Sequence, residues 1–107
     1  MITSDQIHEA VKTAEFPAAY GEAFARGLNR RLANVNFWLE SLTITDVVEW
    51  LSAGVFEGLS FAITDDVLYP CLERFFNALF ANDEPRKWIA LEGVKQFRST
   101  FTEETTG

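Results

Sequence analysis

The sequence predicts an all-α fold: a compact bundle of about five helices, one of them long and central, over residues 1–101, followed by a frayed polar tail at 102–107. Three observations carry this expectation. Apolar residues recur at steps of three and four along most of the chain. Helix-capping side chains stand just ahead of those rows. Strict alternation of apolar and small residues is confined to Leu59, Phe61 and Ile63, a lone strand with nothing to pair with unless a second copy supplies it. The 107 residues are 48% hydrophobic and 14% aromatic, with 10 Phe and 3 Trp, which is enough for one packed core and excludes general disorder.

The elements follow in order. Thr3 and Gln6 are spaced as a capping box, with Ile2 and Ile7 as the hydrophobic staple around it, so a first helix starts there. Ile7, Val11 and Ala14 form its apolar row, and Pro17 ends it near Glu15. Tyr20, Phe24, Leu28, Leu32, Val35, Leu39 and Leu42 then advance by a mean step of about 3.67 residues, close to the helical repeat. One long helix from Ala18 to about Ser41 is the favoured reading; breaks near Gly27 or around Asn34–Asn36 are the alternatives. Thr45 or Asp46 caps a short helix carrying Val47, Val48, Trp50 and Leu51, which Gly54 is placed to end. Val55–Ile63 reads as helix or loop. Thr64, Asp65 and Asp66 form another cap cluster, but Pro70 shifts the robust part of the next helix toward Tyr69. A turn at Ala81–Pro85 precedes a last helix whose expected core row is Trp88, Leu91, Val94, Phe97 and Phe101.

Charge is unevenly placed. The formal net charge is -7, and residues 32–73 contain Glu40, Asp46, Glu49, Glu57, Asp65, Asp66 and Glu73 without one Lys or Arg. The flanking regions are neutral in sum. Such a field repels phosphate, which disfavours direct nucleic-acid binding and anionic membranes, and it attracts a basic protein surface. These carboxylates are expected to converge into one electronegative patch. The row Glu22, Arg26, Arg30, with Arg31 beside it, reads first as a ladder of surface ion pairs.

Catalytic and metal chemistry lack an inventory. His8 and Cys71 are the only residues of their kinds and fall in different helices, so no zinc set and no internal disulfide is expected. Cys71 sits among aromatics as a core thiol, His8 is expected in solvent, and no phosphate-loop, dinucleotide, zincin or nucleophile-elbow motif is present. No signal peptide is visible and no apolar run reaches the length of a membrane span, so a cytoplasmic, non-enzymatic domain without cofactors is expected.

Aromatic residues exceed what one small core needs. Phe37 lies about 160° from Leu39 around a helix, so either that stretch is buried all round or Phe37 is an exposed anchor, with Trp38 at its border. The expected partner-binding set is therefore Glu40, Asp46, Glu49, Trp50, Glu57, Asp65 and Asp66, with Phe37 and Trp38, facing a basic surface of another protein. A homodimer or larger assembly through Phe37, Trp38 and Val55–Ile63 is the alternative. In type, as a small acidic aromatic-rich helical domain, the whole chain resembles small phage or mobile-element inhibitors, including helical anti-CRISPR proteins; no motif carries the likeness. The resemblance implies inhibition by occluding a surface that handles nucleic acid.

Overall fold

The computed structural model describes residues 1–106, and the side chains of residues 1–100. It is an all-α bundle with no strand among the described residues. Its helices are α1 (Ser4–Thr13), α2 (Ala18–Arg30), α3 (Leu32–Trp38), α4 (Ile44–Glu57), α5 (Asp65–Leu79) and α6 (Glu84–Thr106), with a single 3-10 turn at Leu39–Ser41. Helix α4 packs between α2 and α6, while α1 lies against α5 and α2. The expected fraying of residues 102–107 and the core place of Phe101 fall outside the described side chains.

Helix α1 starts as its sequence dictates. The Thr3 hydroxyl accepts the Gln6 amide at 3.2 Å, and the Gln6 side chain accepts the Thr3 amide at 2.8 Å. Ile2 and Ile7 are both buried beneath this cap. The Ile2 amide and carbonyl are held by the Asn36 side chain, at 2.9 and 3.0 Å, which ties the N-terminus to α3. At the far end Glu15 adopts a left-handed backbone (φ 59), a conformation that favours glycine. Arg74 on α5 braces the turn by donating from Nε to the Ala14 carbonyl at 3.0 Å.

The single long helix is not formed. The chain breaks at Arg31 (φ -108, ψ 10), which separates α2 from α3. The reason is tertiary. In a continuous helix the Leu28 carbonyl would accept the Leu32 amide. It accepts instead from the Arg31 amide at 3.1 Å and from the indole Nε1 of Trp50, also at 3.1 Å. Trp50 thus takes the acceptor that continuation needs, and the apolar row is shared between two helices. The longest dimension of the molecule is 35 Å, so the unbroken helix of about 36 Å would have reached from end to end.

Helix α4 differs from expectation at both ends. Its N-cap is Thr43, not Thr45 or Asp46. Thr43 and Asp46 close a second capping box, with bonds of 3.1 and 3.0 Å. Gly54 does not end the helix, which continues to Glu57. Its function is close approach: a Cβ on Gly54 would come within 2.7 Å of the Phe24 ring, and one on Gly27 would overlap the Ala53 carbonyl oxygen. Two helices meet almost backbone to backbone there. Val55–Ile63 is accordingly helix up to Glu57 and turn or loop beyond.

Helix α5 begins at Asp65 rather than near Tyr69, although the Thr64 hydroxyl makes no capping bond. Pro70 is accommodated because it and Asp66, whose carbonyl loses its usual donor, both lie on the exposed face. In α6 the core row shifts: Ala90, Val94 and Phe97 are buried, Leu91 is half-buried, and Trp88 is 62% exposed. Gly93 faces Val47 on α4, and this close approach fixes which side of α6 turns inward. Asp83 and Arg86 pair at 2.6 Å, while Arg86 Nε donates to the Leu39 carbonyl at 2.7 Å, anchoring the start of α6.

Candidate functional site

The predicted site residues distribute over several parts of this frame. Trp50 is 2% exposed and belongs to the core, where its ring meets Phe75 and Phe76 edge-on or tilted. It is therefore removed from any docking surface: its one polar atom already bonds the Leu28 carbonyl. Phe37 on α3 is 84% exposed, so this stretch is not buried all round, while Trp38 is half-buried against the core. Glu40 lies exposed on the 3-10 turn, and the Asp46 carboxylate is engaged in the α4 cap.

The acids do not form one patch. Asp46 and Glu57 stand at opposite ends of α4, about 16 Å apart along its axis. Glu40 and Asp46 accompany the N-terminal end. Glu49 and Glu57 instead line a groove of about 630 Å³ between α2 and α4, together with Arg30, Arg31 and Phe56. Glu57 pairs with Arg30 across this groove, so a base from outside the acidic stretch neutralises it. The expected ladder on α2 is replaced by this longer-range pair: Glu22 and Arg26 form no ion pair among the described residues.

Past Glu57 the chain turns through a corner into α5. The Leu59 amide donates to the Phe56 carbonyl at 3.2 Å and the Phe61 amide to Gly58 at 3.0 Å, so the corner has a defined backbone. Phe56 is 70% exposed, Leu59 67%, Val67 40% and Phe61 37%. Asp65 and Asp66 follow on the first turn of α5, both exposed, and neither forms an ion pair among the described residues. Acids are at home at a helix N-terminus, where the amide dipoles point toward them. The corner thus combines protruding apolar side chains with unneutralised carboxylates. None of these four apolar residues was in the expected partner-binding set, although Phe56, Leu59 and Phe61 fall in the Val55–Ile63 segment of the alternative assembly. For Leu59 and Phe61 the signal in the sequence was their alternation with small residues, which signified exposure at a turn rather than a strand; nothing in the sequence singled out Val67.

Behind the corner the titrating groups are kept neutral. Burial pushes the Tyr20 phenol up to about 12, with smaller contributions from Tyr69 and Cys71. Tyr69 is raised by burial and by Asp65, against the opposing effect of Arg98, whose guanidinium lies 4.8 Å over its ring. Burial likewise raises the Cys71 thiol, although Arg74 donates to its sulfur at 3.2 Å and pulls the other way. His8 is exposed, 3.4 Å from the Asn29 side-chain amide. Among the described residues no three His, Cys, Asp or Glu gather as metal ligands, and no helix is long and apolar enough to cross a membrane. Compared with protein-family models, curated proteins and solved structures, the chain matches none.

Proposed function

We propose that this protein is a non-enzymatic binding module that docks on a basic protein surface through the corner between α4 and α5. One observation carries the reading. Phe56, Leu59 and Phe61 stand exposed within six residues of chain, immediately before the unneutralised Asp65 and Asp66. Protruding aromatic and aliphatic groups supply the desolvated centre of an interface, and carboxylates at its rim select a partner rich in Lys and Arg. A partner whose basic surface normally engages nucleic acid would be inhibited by occlusion, in the manner of the small phage inhibitors that the chain resembles in type.

The test is affinity capture from the native host at two salt concentrations, with wild type, Asp65→Lys/Asp66→Lys and Phe56→Ser/Leu59→Ser. A partner with a basic surface should be retained by wild type, released by raised salt and lost from both variants. Capture that neither salt nor either variant changes would rule the docking surface out. Light scattering on the same samples separates the homodimer reading, which expects a species of twice the 12.1 kDa chain mass.

A further inference from the structure

The groove between α2 and α4 differs in charge from the molecule as a whole. Its α2 wall carries Arg30 and Arg31 and its α4 wall Glu49 and Glu57, around a volume of about 630 Å³. The groove is therefore neutral in sum, in a chain whose net charge is -7. Two copies that approach through an acidic part of the surface repel each other; at the groove that repulsion is locally cancelled.

Its charges are not all engaged. Arg30 and Glu57 pair with each other, whereas Arg31 and Glu49 are exposed and form no ion pair among the described residues. One cation and one anion thus stand unpaired on the two walls. The lining between the charges is small, with Gly27, Ser52 and Ala53, where the two helices meet almost backbone to backbone. Phe56 also lines the groove and is 70% exposed.

This mixture of signs selects the occupant. A uniformly basic protein surface, the kind the corner fits, would meet Arg30 and Arg31; an acidic one, or a nucleic-acid backbone, would meet Glu49 and Glu57. A surface bearing the same two signs, turned by half a rotation, satisfies both walls. This chain's own groove is such a surface, because in a two-fold interface every contact occurs twice with the roles exchanged.

We propose that two copies of this chain pair across a two-fold axis at the α2–α4 groove, Arg31 of each meeting Glu49 of the other while each Phe56 seats against the small residues lining the other groove. One unpaired cation and one unpaired anion per chain become two intermolecular ion pairs, and the exposed ring of α4 leaves water. The pairing does not rest on the docking reading. Phe56 is common to both, so the two associations compete for it, but Leu59, Phe61, Asp65 and Asp66 take no part in the dimer.

Sedimentation equilibrium of the whole chain, from dilute to millimolar concentration, tests this with Arg31→Glu, Glu49→Arg and the double variant. Wild type should pass from 12.1 kDa to twice that mass. Each single reversal should weaken association about tenfold, since it sets like charges against each other. Glu49→Arg is the sharper probe: it lowers the net negative charge, so general repulsion alone would make that variant associate better. The double variant, and an equimolar mixture of the two single ones, should recover the wild-type dimer, because opposite signs face each other again. Both positions are exposed, so every variant should keep the wild-type melting temperature. A chain that stays monomeric throughout would overturn the proposal. So would a dimer indifferent to both reversals, as an assembly through Phe37, Trp38 and Val55–Ile63 would be, or reversals that neither the double variant nor the mixture repairs. Capture of a basic partner should survive both single reversals, so the failure of this pairing and the failure of the docking reading are told apart.

Discussion

One edge of α4 closes on α2 until backbones nearly touch, while its C-terminal end leaves large apolar side chains in water. Trp50 and Phe56 are six residues apart on this helix, yet one is 2% exposed and the other 70%. Apolar content does not separate the two regions; backbone approach does. Gly27 and Gly54 remove side-chain bulk at the crossing, so α2 and α4 draw together and bury whatever lies beside them. Among the described residues no helix covers Phe56 and Leu59, which stay exposed. Exposed apolar area of this kind contributes nothing to the folded state's stability, and so it is where recognition is expected.

That contrast can be broken from the inside first. Trp50→Ala removes a buried ring and the bond to Leu28, and should cost about 4 kcal/mol in chemical denaturation. Gly27→Ala sets a methyl against the Ala53 carbonyl and should cost about 3 kcal/mol, with the α2 and α4 amides losing hydrogen-exchange protection together. High pH acts on the inner wall as well. Tyr20 titrates near 12 when folded, above its ordinary value of 10.0, so the native state holds that proton more tightly than the unfolded chain. The resulting stability is fully present below pH 10 and should fall by about 2 kcal/mol between pH 10 and 12. Tyr20→Phe should flatten that part of a stability-against-pH curve. At the corner the expectation reverses: Phe56→Ser with Leu59→Ser should alter stability by no more than about 0.5 kcal/mol while abolishing partner capture. A large loss of stability there would mean that the corner belongs to the core after all.

Local chemistry was readable in the sequence where one turn of chain contains all the participants. The Thr3–Gln6 box and the Ile2–Ile7 staple were legible because their partners are three to five residues apart. The helical class, and Val94 and Phe97 as core, followed from spacing alone. What was illegible depended on partners distant in sequence. The break at Arg31 requires Trp50 to reach Leu28, and nothing near Arg31 announces it. Gly54 looks like a terminator until α2 is placed across it. The acids were visible as a run, but their dispersal was not, since it depends on α4 separating Asp46 from Glu57 and on Arg30 arriving from α2.

The left-handed Glu15 gives the N-terminal segment a distinct mechanical standing. A residue with a side chain held at φ 59 costs about 1 kcal/mol, a cost relieved once α1 lets go of the bundle. The Arg74 guanidinium acts as a latch against this recoil by gripping the Ala14 carbonyl. Peeling should therefore begin at α1, whose amides would exchange sooner than those of α4. Glu15→Gly should slow that opening, and Arg74→Ala should hasten it.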